Sequence, residues 1–150
     1  MSATIIALIE RGLENEKTAS EYFMAYNKTL EKPSLKQLFV SITDQELEHK
    51  KQLQELLERT LTQEAFADNI LASIEIKSFT EIISTEPNMP TTKILQLLMK
   101  YYAHTENIYK QLTLASLDSE IRLIFQKLAE GELKLKQWVQ DRYDLETLSA

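Results

Sequence analysis

Glu46 and His49 stand three residues apart, and their types and spacing suit chemistry. On a helix, positions i and i+3 lie on one face, so the carboxylate and the imidazole sit side by side. Such a pair can hold a metal ion. Glu16, 30 residues before Glu46, and Glu132, near the end of the chain, are further carboxylates that suit the same surroundings. The chain has no cysteine and only two histidines, His49 and His104. That excludes thiolate nucleophiles, iron–sulfur clusters, zinc ribbons and disulfide frameworks. A metal site here must be built mainly from carboxylates.

The pattern around these residues gives them weight. One apolar-periodic segment reads inward as Leu35, Leu38, Ile42, Glu46, His49, Leu53 and Leu56, in steps of 3 or 4 residues. Glu46 and His49 thus take two consecutive places in an otherwise apolar seam. The preceding segment reads inward as Ile6, Ile9, Leu13, Glu16, Phe23 and Leu30. A buried carboxylate without a partner protonates or finds a cation. Three carboxylates and an imidazole at one level of a helical core are most simply stabilised by a metal ion. The alternative is a solvated placement: Glu46 and His49 at the edge of the seam, and Glu16 on the surface with Glu14, Lys17 and Glu21.

Four long segments carry a helical apolar period, at about 4–30, 33–61, 91–115 and 120–145. Pro33 separates the first two, and a short turn at 116–119 separates the last two. Residues 62–90 form a long crossover with one or two short helices, ending in the linker Thr85-Glu86-Pro87-Asn88-Met89-Pro90. The tail after Asp144 is expected to fray. With two glycines and three prolines, a many-stranded β protein is excluded for want of turn formers. The sequence predicts a single all-α domain over 1–150, two antiparallel helical hairpins joined by a long crossover.

The two hairpins repeat each other. At an offset of 86 residues, Phe39 falls on Phe125, Glu46 on Glu132, Leu47 on Leu133, Lys50 on Lys136 and Gln54 on Gln140. Apolar positions match without a gap. Amphipathic heptads alone would align the apolar residues but not an identical Glu-Leu-x-x-Lys, so the chain reads as a duplicated hairpin. The only glycines, Gly12 and Gly131, fall inside helices, which leaves no glycine-rich phosphate loop; Gly131 reads as a close-packing point.

The net charge is −6 and the pI about 5.0, which argues against a nucleic-acid partner. No apolar run reaches the roughly 18 residues of a membrane span, so no membrane partner is expected. The first residues lack a basic region and a cleavage site, and the expected location is cytoplasmic.

The first hairpin resembles the rubrerythrin-like di-iron proteins of the ferritin-like superfamily. Glu16-Lys17-Thr18-Ala19-Ser20-Glu21-Tyr22-Phe23 is similar to that family's first-helix Glu followed by Ala and an aromatic pair. Asp44-Gln45-Glu46-Leu47-Glu48-His49 resembles its Glu-x-x-His, and Ile108-Tyr109 with Leu128-Ala129-Glu130-Gly131-Glu132 gives the second hairpin the same frame. The resemblance implies a ferritin-like four-helix bundle with iron, as one ion or a weakened pair, held by Glu16, Glu46, His49 and Glu132, and with manganese or zinc as the alternative ions. It also implies peroxide or dioxygen reduction, and a homodimer. The site is incomplete against the family's pattern: Tyr102 stands where the third helix carries Glu, and Leu135 where the fourth carries His. Tyr102 and Glu106, one turn on, are the substitute or supporting ligands this suggests, with His104 on the surface. Without cysteine there is no rubredoxin-like iron domain, so redox chemistry needs an external electron donor. A non-enzymatic helical scaffold that has lost its metal chemistry is the competing function.

Overall fold

The computed structural model describes residues 4–59, 61–84, 86 and 88–148. Four long helices carry the fold: α1 (Ile5–Asn27), α2 (Pro33–Glu58), α5 (Thr91–Ala115) and α6 (Ser119–Leu148). Between the hairpins lie a 3₁₀ turn at Gln63–Ala65 and the short helices α3 (Asp68–Ser73) and α4 (Phe79–Ile82). The described residues form no strand, only an isolated bridge between Phe66 and Ser116. The all-α ferritin-like bundle holds. No described helix is long and apolar enough to cross a membrane.

Local chemistry sets the boundaries. The Thr4 hydroxyl caps α1 by accepting from the Ala7 N–H at 3.1 Å. Pro33 opens α2, where a missing N–H costs nothing. Asp118 accepts from the Ile121 N–H at 3.0 Å at the start of α6. Helices α1 and α2 stop at Asn27 and Glu58, three residues short of the periodicity; Leu30 is buried from the loop instead. The expected fraying after Asp144 does not occur before Leu148, because Glu146 pairs with both Arg142 and Lys32. Thr85 and Pro87 of the linker lie outside the described residues.

The inward face of α1 starts differently from the seam expected. Ile6 is 42% exposed, whereas Ile5, Leu8 and Ile9 are buried. The run Ile5-Ile6-Ala7-Leu8-Ile9 fits two registers, and the crossover decides between them: Ile5, Leu8 and Ile9 join Phe66, Leu71 and Ile74 in one apolar cluster. A second cluster at the other end of the bundle gathers Phe23, Phe39, Ile42, Leu98, Tyr102 and Leu135. Glu16, Glu46, His49, Thr105 and Glu132 are buried between these two clusters along their helices.

The crossover is tied to both hairpins at this level. Asn15 on α1 donates to the Lys77 carbonyl at 3.0 Å and accepts from the Phe79 N–H at 2.9 Å. From α5, the ring of His104 accepts the Lys77 N–H on Nε2 at 3.0 Å. His104 is therefore half-buried, not freely on the surface, because it supplies an acceptor that the crossover backbone lacks. Replacing Asn15 by Ala leaves the buried Phe79 N–H unpaired, so Asn15→Ala should lose about 2 kcal/mol in urea unfolding.

Candidate metal centre

Glu16, Glu46, His49 and Glu132 come together. Each places one ligand atom within 4.8 Å of the others, and no other group of His and acidic residues among the described residues does so. All are removed from solvent: Glu46 and Glu132 are 0% exposed, Glu16 1% and His49 3%. Helix geometry accounts for the convergence. Glu46 and His49 replace apolar residues in the α2 seam between Ile42 and Leu53, and Glu132 does so in α6 between Leu128 and Leu135. The offset of the repeat brings Glu46 and Glu132 to equivalent places in the two hairpins.

Hydrogen bonds hold some of these side chains and leave others free. His49 Nδ1 lies 2.9 Å from Glu132 Oε1. The Thr105 hydroxyl donates to Glu132 Oε2 at 2.9 Å, and the Tyr109 hydroxyl donates to Glu16 Oε1 at 3.4 Å. Both oxygens of Glu46 and Oε2 of Glu16 have no partner, and neither do the hydroxyls of Tyr101 and Tyr102. Buried oxygens without donors are rare and costly. Here three such oxygens belong to two carboxylates of the converging group.

The electrostatics follow from the burial. Desolvation, then the neighbouring charges of Glu46 and Glu132, pushes the Glu16 carboxyl well above its usual value of 4.5. Desolvation and the charge of Glu132 do the same to Glu46. Without a cation these two carboxyls share a proton. Desolvation disfavours a charged His49, but the hydrogen bond and charge of Glu132, with Glu16 and Glu48 behind it, outweigh it and raise the imidazole above 6.5. Burial and the surrounding carboxylates hold Tyr101, Tyr102 and Tyr109 as neutral phenols. A metal ion would answer the three unpaired carboxylate oxygens at once. Three hard carboxylates and one imidazole form a donor set suited to iron, manganese or zinc. The residues present fit such an ion.

The other predicted residues are placed as follows. Tyr102 is fully buried beside the cluster. Leu135 is fully buried in the apolar cluster. Glu106 turns away and pairs with Lys110 at 3.3 Å, outside the group of four. Thr105 and the Tyr109 hydroxyl act here without having been anticipated. Their signal was legible: Tyr102, Thr105 and Tyr109 run at steps of 3 and 4 along one α5 face, and a threonine inside that stripe needs an acceptor. Gly131 is the close-packing point expected. A Cβ there would lie 2.5 Å from Nε2 of His49.

Two expectations follow. Gly131→Ala would gain helix propensity of about 1 kcal/mol. The clash with His49 should reverse the sign and cost about 1–3 kcal/mol net, measured by urea unfolding. The second concerns pH in the metal-free protein. Folding raises the affinity of Glu16, Glu46 and His49 for protons, so their contribution is full at low pH and is lost as pH rises through the raised values. The metal-free protein should therefore melt lower at about pH 8 than at about pH 5.5, and Glu46→Gln should flatten that slope.

No curated protein and no solved structure matches the chain. A family profile described as rubrerythrin matches residues 7–134. That span runs from the first turn of α1 through Glu132 and includes all four converging residues, and the chain belongs to the rubrerythrin family.

Proposed function

We propose that this protein binds one metal ion, iron in its working form, through Glu16, Glu46, His49 and Glu132, and uses it to reduce peroxide or dioxygen. The observation that carries the reading is the Glu46 carboxylate, 0% exposed and without a partner on either oxygen, inside a cluster 4.8 Å across. One ion rather than two follows from the repeat. The equivalent of Glu16 in the second hairpin is Tyr102, and the equivalent of His49 is Leu135, which has no donor atom. The first hairpin keeps two carboxylates and the imidazole; the second keeps only the Glu132 carboxylate.

A bound redox metal would relay electrons from the external donor to an oxygen species. The chain's own groups do the rest. Thr105 fixes Glu132 from α5, and Tyr109 steadies Glu16; His49 Nδ1, which pairs with Glu132 in the metal-free protein, would give up that bond to hold the ion. Glu46 is held only by the proton it shares with Glu16, so a cation that displaces that proton would leave it free to shift. Tyr101 and Tyr102 hold protons on hydroxyls that nothing else uses. The apolar clusters on both sides keep bulk water out. The reading includes a cytoplasmic setting, an external electron donor and a homodimer, all by analogy with the family.

The replacement of two site positions supports a second reading, a helical scaffold that has kept the bundle and lost the metal. Elemental analysis of protein purified without chelator separates the two. The metal reading expects one iron, manganese or zinc per chain. It also expects metal at 100 times its Kd to stabilise folding by about 2.7 kcal/mol, which is a rise of about 5–10 °C in melting temperature. Glu46→Gln should abolish the rise. A scaffold would show neither metal nor rise, and Glu46→Gln would then simply stabilise it.

A further inference from the structure

A glycine inside a helix needs a reason, because it costs stability relative to alanine. Gly131 has one, the imidazole of His49 at 2.5 Å from its missing Cβ. Gly12, inside α1, does not. Among the described residues no glycine has a positive φ, so the backbone at Gly12 suits any residue. A Cβ there would lie 3.5 Å from Leu53 Cδ1 and 3.8 Å from the Tyr109 hydroxyl, both ordinary contacts. Neither conformation nor close packing calls for glycine. What remains is the space beside it.

Gly12 lines a small cavity of about 20 Å³ bordered by α1, α5, Leu53 of α2 and Ile76 of the crossover. One small molecule fits, since a single water needs about 10–15 Å³. Its walls are mainly apolar, with Leu8, Ile9, Leu53 and Ile108 among them. Glu16, Tyr101 and Tyr109 also line it, so the cavity adjoins the metal centre on the Glu16 side. Apolar walls reject a charged guest, and the volume rejects anything beyond about two heavy atoms.

We infer that Gly12 keeps open a pocket that holds an uncharged ligand of one or two heavy atoms against the Glu16 side of the metal centre. The use of that ligand at the metal rests on the proposed function; the existence of the pocket does not. Gly12 is the size-determining residue, and its missing side chain trades helix stability for that space.

Xenon is the probe, because it is uncharged, small and indifferent to metal. In metal-free protein under xenon pressure, methyl NMR shifts are expected at Leu8, Ile9, Leu53 and Ile108. They should weaken in Gly12→Ala and vanish in Gly12→Val. Gly12→Ala should also melt about 2–4 °C higher, the gain expected from helix propensity in a chain of this length, and should load metal as the wild type does. Absence of xenon shifts in the wild type would overturn the pocket, as would equal shifts in Gly12→Val. A lower melting temperature in Gly12→Ala would give the glycine a packing role and overturn the inference. So would a loss of metal loading in that variant, since the glycine would then serve the metal site. Because the xenon arm uses metal-free protein, failure of the metal reading leaves its result intact.

Discussion

Three carboxylates and an imidazole occupy one level of a helical core, with apolar clusters on either side. Each carboxylate gave up water to be there, and only part of that loss is recovered inside the protein. Glu132 has His49 and Thr105, Glu16 has Tyr109, and Glu46 has only the proton it shares with Glu16. The rest of the architecture serves this imbalance. Four helices each deliver a side chain to the layer, and Asn15 and His104 fasten the crossover to α1 and α5 at the same height. A bundle built for stability alone would place leucine at these positions, as it does at Leu135.

The duplication explains both why the layer exists and why it is lopsided. Two copies of one hairpin, packed antiparallel, bring equivalent positions to the same level from opposite sides. Glu46 and Glu132 still obey that symmetry. The other two pairs have broken it: Glu16 faces a position now held by Tyr102, and His49 one now held by Leu135. The second hairpin is the more apolar and aromatic at these positions, and Tyr101 and Tyr102 meet edge to face there with ring centres 5.5 Å apart.

Much of this could be read from the sequence, because helical periodicity and buried charge conflict visibly. A seam running Ile42, Glu46, His49, Leu53 has no comfortable apolar explanation, so both the bundle and its four converging residues were apparent. The details that escaped depend on contacts between distant segments. Ile6 lost its inward place to Ile5 because the crossover packs there, and nothing local to α1 selects that register. Glu106 sits at a helical spacing that suits the layer, but Lys110 one turn away offers a cheaper partner near the surface. Asn15 and His104 look like ordinary surface polars until the crossover backbone arrives with unpaired groups. Gly12 was legible as a helical residue, whereas the space beside it needed coordinates.

The contact between Gly131 and His49 has a mechanical consequence. The two hairpins are joined in sequence only by the long crossover, which leaves the axial offset of α6 against α2 loosely specified. Residues on a helix advance by about 1.5 Å each, so a slip of one residue would bring a side chain against the ring where glycine now leaves a notch. The imidazole thus works as a key in a lock cut by one missing methyl group. It sets the vertical alignment of the two halves and, with it, the height at which Glu132 meets Glu46.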